Sequence, residues 1–136
     1  MAIHKFPFSV AYADTDACGI TYHGRYLEIV ERARLNWLED KNVPTGDNFI
    51  IKSLHIEYNV PLLLKQKFYV ETEITSVGRC KLDMVQRFVS QQNDKDVIHA
   101  VLTSRAAYVG AGPHYRLKQM PEELRAQMML CNGKQK

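Results

Sequence analysis

Hydrophobic positions change period several times along this 136-residue chain, and each change predicts an element. Phe6, Phe8, Val10 and Tyr12 alternate with Lys5, Pro7, Ser9 and Ala11, the two-residue period of a strand. From Tyr26 the period becomes helical. Tyr26, Ile29, Val30, Ala33 and Trp37 fall at i, i+3, i+4, i+7 and i+11, and Leu27 and Leu38 widen the stripe. That stripe is predicted to be buried, with Glu28, Arg32, Arg34, Glu39 and Asp40 on the opposite side. The helix is expected to begin near Tyr22 to Gly24 and to stop at about Lys41, before Asn42, Pro44 and Gly46.

Alternation then returns. Leu54, Ile56, Tyr58 and Val60 alternate with His55, Glu57 and Asn59 up to Pro61, predicting a second strand with one buried face after a turn at Thr45 to Asn48. Phe68, Val70, Thr72 and Ile74 predict a third strand, followed by a tight connection from Ser76 to Arg79. Lys81 to Gln91 predicts a fourth, and Gln92 to Asp96 its turn. Val97 to Val109 predicts a fifth that is apolar in both registers, hence interior to a sheet and ended by Gly110, Gly112 and Pro113. Pro121, Glu122 and Glu123 open a short terminal helix through about Met129, with a polar tail from Asn132 to Lys136. The short connections leave no room for crossover helices. The expected class is therefore α+β, an antiparallel five-stranded sheet curled around one long helix, in a single domain over residues 1–136.

Composition narrows the function. The formal charge of +3 is mild and the Lys and Arg residues form no dense stripe, which argues against a nucleic-acid partner and leaves room for an anionic small molecule. Cys18, Cys80 and Cys131 are odd in number and contain no CxxC, so neither a disulfide framework nor a zinc cluster is expected, and a reducing, cytoplasmic setting is. His4, His55, His99 and His114 lack metal-ligand spacing and read as strand or loop residues. No stretch approaches the ~18 apolar residues of a membrane span, and the first residues are too interrupted for a signal peptide.

Chemistry concentrates between the first strand and the helix. Asp14, Thr15, Asp16 and Gly19 favour turns, and they lead into a helix N-terminus whose unpaired N–H groups suit an anion or a carbonyl oxygen that becomes one. The D-x-D-x-x-G spacing also superficially matches a calcium loop. That reading fails because Cys18 and Arg25 stand at the fifth and twelfth positions, where oxygen ligands are required.

The stretch YADTDACGITYHGRYLEIVERAR resembles the signature of the hotdog-fold acyl-CoA thioesterases of the 4-hydroxybenzoyl-CoA thioesterase class, particularly the bacterial short-chain enzymes associated with the Tol-Pal system. Their pattern, D-x-D-x-x-G-x-V-Y-H-x-x-Y followed by E-x-A-R, is met by Asp14, Asp16, Gly19, Tyr22, His23, Tyr26, Glu31, Ala33 and Arg34. Thr21 replaces the usual valine. The similarity continues through EYNVP (57–61) and VETEITSVGR (70–79), departing at Lys67 and at Cys80 and Lys81.

The resemblance implies hydrolysis of an acyl thioester without a cofactor, coenzyme A being part of the substrate. It maps the catalytic carboxylate onto Asp16, as nucleophile or general base, and the oxyanion site onto the His23 N–H, with the His23 ring orienting water or protonating the leaving thiolate. Lys65, Arg79 and Lys81 are the cations nominated for the coenzyme A phosphates, and Tyr22, Tyr26 and Tyr58 the aromatic side chains nominated for substrate contact. Tyr12, Tyr22 and Tyr26 also have a plain reading as packing around the helix, and the cations as a solvated face. Asp16 alone would read as a turn or capping residue, and Cys18 with His23 as a Cys-His pair lacking an orienting third group. An acyl carrier protein thioesterase and a non-catalytic acyl-CoA or partner-binding module are the competing functions. Exposed strand edges in so short a chain predict a homodimer, or a tetramer built from dimers.

Overall fold

A computed structural model describes residues 3–110 and 116–131. Strand β1 (Ile3–Ser9) leads through a 3-10 turn (Tyr12–Asp14) to helix α1 (Arg25–Leu38), followed by β2 (Asn48–Tyr58), β3 (Lys67–Val77), β4 (Lys81–Gln92), β5 (Lys95–Val109) and helix α2 (Glu122–Leu130). The five strands form one sheet in the order β1-β3-β4-β5-β2, with every neighbouring pair antiparallel. Gly112, Pro113, His114 and the tail expected from Asn132 lie outside the described residues.

Alternation in the sequence becomes two faces of the sheet. Val70, Thr72 and Ile74 of β3, Leu82, Met84, Gln86 and Phe88 of β4, and Ala100, Leu102, Ala106 and Tyr108 of β5 are buried on the helix side. The other face carries Glu71 and Glu73 paired with Arg87 at 3.0 and 2.7 Å, and Asp83 paired with Arg105 at 2.7 Å. β5 is an interior strand between β4 and β2, as its two-sided apolarity predicted. Its hairpin with β4 turns on Asn93 and Asp94 alone, at φ 54° and 65°, a shorter turn than the expected 92–96 because both residues tolerate the left-handed region.

Four expectations need correction. The helix is not long: α1 has 14 residues, about 21 Å at 1.5 Å per residue, and packs chiefly on β1 and β3. It starts at Arg25, because Tyr22 N–H is drawn back to the Asp14 carbonyl, and it tightens at Glu39, whose N–H bonds the Asn36 carbonyl. Arg34 faces the core, donating to Gln86 Oε1 at 3.1 Å and pairing with Glu31, while Gln86 Nε2 donates to the Val30 carbonyl and to Thr72 Oγ1. A helical arginine can be buried when a core amide answers it. Leu27, by contrast, is exposed.

The third correction concerns β2. Its apolar side was expected to be buried, yet Leu54 and Tyr58 are 46% and 47% exposed. The strand sits at the sheet edge, where the short helix meets its Tyr58 end through Tyr26 but leaves Leu54 uncovered. β1 also ends earlier than expected, at Ser9, so Val10 is buried beyond it while Tyr12, in the 3-10 turn, is 82% exposed.

The core has two parts. One gathers Tyr26, Ile29, Val30 and Ala33 of α1 with Val10, Leu62, Phe68, Val70, Phe88, Ala100 and Leu102. The other joins Trp37, Ile74, Leu82, Met84, Ala106 and Tyr108 with Met120, Leu124 and Met128, so that α2 closes that end of the sheet.

Candidate active site

The 11–24 loop is held by its own polar groups. Ala11 N–H donates to Asp14 Oδ2 at 2.8 Å, and Tyr22 N–H to the Asp14 carbonyl at 2.8 Å. Arg25 pairs with Asp14 Oδ1 at 3.3 Å and donates from Nη2 to the Ala13 carbonyl at 3.0 Å. Both oxygens of Asp14 are thereby committed to the shape of the loop.

Asp16 is held differently. Its Oδ1 accepts the Cys18 N–H at 2.8 Å, and its carbonyl accepts the Gly19 N–H at 3.1 Å, where φ of +80° suits glycine. Asp16 Oδ2 takes no hydrogen bond from any described residue. The carboxylate is thus oriented through one oxygen and leaves the other available.

Seven residues on, the chain turns into α1 through His23 and Gly24, whose N–H groups donate to no described residue. Tyr58 of β2 fixes this turn: its phenol donates to the His23 carbonyl at 2.8 Å, and its ring meets the Tyr26 ring edge-on at 5.0 Å. Burial pushes the pKa of Tyr26 up, with the Leu62 backbone acting the other way, and partial burial raises that of Tyr58. Both phenols therefore stay protonated at neutral pH, as donation by Tyr58 requires.

Between these pieces lies a cavity of about 330 Å³ lined by Asp16, Ile20, Thr21, His23, Tyr26, Tyr58, Asn59, Val60 and Pro61. Four of the residues singled out from sequence, Asp16, His23, Tyr26 and Tyr58, meet in it. Tyr22 lies outside, half exposed, with its ring 4.5 Å from that of His23. Cys18 is exposed and contributes its N–H to Asp16 without lining the cavity. Lys65 stands in the 61–66 loop at the same end of the molecule, at φ 70°, its N–H donating to the Val10 carbonyl.

Arg79 and Lys81 are elsewhere. Lys81 is opposite Ala107 and Phe88 opposite Ala100, so along β4 the two ends stand roughly 23 Å apart at ~3.3 Å per residue. Arg79 lines a separate cavity of about 270 Å³ with Gln119, Met120, Glu122 and Arg125. Within one chain these two cations do not join Asp16.

Sequence reasoning missed the wall opposite the carboxylate, 59–61, together with Ile20 and Thr21. EYNVP was noticed as a pattern, but nothing local assigns it to the cavity. What seats it is long-range: Thr21 N–H and Oγ1 both donate to the Leu62 carbonyl, at 2.8 and 3.0 Å. Among the described residues no three His, Cys, Asp or Glu side chains converge as a metal site, and no helix is long and apolar enough to cross a membrane.

An oriented carboxylate with a free oxygen beside unpaired N–H groups suits attack on a carbonyl and capture of the resulting oxyanion. Known proteins with similar sequences are thioesterases. Residues 10–128 match the thioesterase-like superfamily. An acyl-CoA thioesterase, YbgC, of Haemophilus influenzae is 37% identical over 92 residues, 62% of this chain and 68% of its own length. The acyl-CoA thioester hydrolase YbgC of Escherichia coli is 32% identical over 97 residues, 67% of this chain and 72% of its own. Among solved structures, a 4-hydroxybenzoyl CoA thioesterase mutant complexed with 4-hydroxybenzoyl CoA superposes with a TM-score of 0.84 at 12% identity, covering 94% of this chain and 99% of that one, a likeness of fold. The chain belongs to the thioesterase-like superfamily of thioester hydrolases, as a hotdog-fold homologue of the YbgC enzymes.

Proposed function

We propose that the protein hydrolyses the thioester of short-chain or aromatic acyl-CoA to the free acid and coenzyme A, at the Asp16 cavity. The observation that carries this reading is the convergence of Asp16, with one uncommitted carboxylate oxygen, and His23, with an unpaired N–H at the start of α1, on one cavity. The acyl group enters between Ile20, Tyr26, Tyr58, Val60 and Pro61. At about 330 Å³, near the small end of ligand pockets, the space suits a short or single-ring acyl group, with the rest of coenzyme A outside.

Asp16 Oδ2 attacks the thioester carbonyl, or takes a proton from a water that does. Negative charge then develops on the carbonyl oxygen, and the His23 and Gly24 N–H groups stabilise it together with the positive end of α1. Collapse expels the thiolate, which is protonated by water or by the His23 ring. On the nucleophilic route water then opens the mixed anhydride and returns Asp16. Thiolate leaves readily, so oxyanion stabilisation carries more of the rate than proton delivery. Lys65 meets a phosphate of coenzyme A at the mouth.

Assembly completes the site in this reading. β2 is an 11-residue edge with exposed Leu54 and Tyr58, followed by exposed Val60, Leu63 and Leu64. Antiparallel pairing of two such edges makes one continuous sheet and reverses one subunit against the other. The Arg79 and Lys81 end of a second copy is thereby carried toward the Asp16 end of the first. A tetramer of two such dimers is the larger assembly consistent with the chain.

Thiol release from butyryl-, benzoyl- and dodecanoyl-CoA, measured beside the same acyl groups on acyl carrier protein, with size determined by light scattering, tests the reading. Turnover favouring the first two CoA esters in a dimer or tetramer supports it. Preference for the carrier protein moves the substrate class, and tight ester binding without turnover makes the protein a binding module.

A further inference from the structure

The wall facing Asp16 is tied to the sheet by one buried histidine. β5 pairs with β4 in register up to Ala100 opposite Phe88, and then resumes with Ile98 opposite Val89, so His99 is an extra, bulged residue. It is 1% exposed. Its carbonyl accepts the N–H groups of Asn59 and Val60 at 2.8 and 3.1 Å. Its ring Nδ1 lies 3.0 Å from the Val60 carbonyl and 3.3 Å from that of Pro61. Nε2 lies 2.6 Å from Ser90 Oγ, which is itself within 3.4 Å of Gln66 Nε2.

These partners fix the tautomer. Carbonyl oxygens only accept, so Nδ1 carries a proton and donates it; in the neutral ring, Ser90 Oγ–H donates to Nε2 and Gln66 Nε2 donates to Ser90. Gln66 Oε1 in turn accepts the Leu63 N–H at 2.9 Å. The result is one directed chain of donors, from Gln66 through Ser90 and His99, that grips the 59–66 segment at both ends. Asn59, Val60 and Pro61 line the cavity with Asp16, whereas His99 does not reach it.

We infer that His99 is a positioning residue for acyl selectivity: its Nδ1–H holds the 60–61 carbonyls and so sets how far the 59–61 wall stands from Asp16. The inference rests on the acyl-CoA reading above and adds to it the determinant of acyl size. Loss of the donor leaves the Val60 and Pro61 carbonyls, which belong to exposed residues but meet the buried His99 ring, without that partner, and the wall moves outward to find water. The cavity then admits larger acyl groups and grips small ones less well, a change read in KM rather than in kcat.

Two substitutions separate this role from core filling. Asparagine places its side-chain amide as many bonds from Cα as Nδ1 and keeps the donor to the carbonyls. Glutamine places its amide where Nε2 stands and loses it. The experiment measures kcat and KM for butyryl- and dodecanoyl-CoA in the wild type, His99→Asn and His99→Gln, with amide hydrogen exchange at Asn59 and Val60.

His99→Asn is expected to keep the wild-type ratio of short-chain to long-chain kcat/KM within about twofold, and His99→Gln to shift it roughly tenfold toward the long chain, through KM, with faster exchange at Asn59 and Val60. Should His99→Gln fail to fold, Ser90→Ala, which frees the ring to rotate, is expected to move the ratio in the same direction. Equal behaviour of the asparagine and glutamine variants, or selectivity unchanged in both, overturns the inference while leaving thioester hydrolysis standing. If the wild type cleaves no ester, the thioesterase reading falls, and exchange at Asn59 and Val60 decides alone whether His99 holds the wall.

Discussion

The same strands finish differently at the two ends of the sheet. Where α2 lies, Trp37, Leu82, Met84, Tyr108, Met120, Leu124 and Met128 pack into a closed core, and Asp47 ties the Tyr108 phenol and Lys118 together at 2.5 and 2.9 Å. Where α1 begins, the core of Tyr26, Phe68, Phe88 and Leu62 opens into the Asp16 cavity, with unpaired N–H groups, a free carboxylate oxygen and a bulged strand at its border. One end spends its side chains on apolar burial, the other leaves polar groups available for a ligand. Stability and chemistry are therefore expected to separate by position, which substitutions at each end can break or sharpen.

The largest effect is expected at the open end. Asp16→Asn keeps the Oδ1 bond to Cys18 N–H and the shape of the loop but removes the charge, and kcat for the best acyl-CoA should fall about 10³-fold, within the range for a lost acid-base or nucleophilic group, with the thermal midpoint unchanged. At the closed end Leu124→Ala empties a fully buried site, and denaturant titration should show a loss of about 3 kcal/mol with KM and kcat of the folded fraction unaltered. If Leu124→Ala changes KM, or Asp16→Asn lowers the midpoint, the two ends are not separable.

The smallest effect is expected on the outer face. Arg105 holds the Asp83 carboxyl below the usual range, through a hydrogen bond and its charge. A depressed carboxylate stabilises the fold at pH values above its unfolded pKa of about 3.9 and loses that contribution as pH falls through its folded value. Arg105→Ala should lower the neutral-pH midpoint slightly, and the variant and wild type should converge as pH falls through the depressed folded value of Asp83, in a pair exposed enough for salt to weaken it.

How much of this was legible depends on distance along the chain. Asp16 and His23 are seven residues apart, and a turn-rich loop before a helical stripe places both at one helix start, so their meeting could be read from sequence. The strands were legible because burial imposes a period of two. The exposure of Leu54 and Tyr58 was not, because alternation reads the same whether the covering surface belongs to the strand's own helix or to another chain. Arg34 misled because a charged residue on a helix reads as solvent-facing until its partner, Gln86, 52 residues away, is known. Asn59 to Pro61 are held at the cavity by bonds from Thr21 and His99, and Arg79 was drawn toward the site by its motif although the β3–β4 connection places it at the far end.

The central claim is that an acyl thioester sits with its carbonyl against the start of α1. A crystal structure of Asp16→Asn with benzoyl-CoA bound tests it most directly. The thioester oxygen is expected within about 3 Å of the His23 or Gly24 N–H, with the ring between Tyr26, Tyr58 and Val60. A thioester seated at the Arg79 and Arg125 cavity, or a carbonyl turned away from the helix start, would contradict the account.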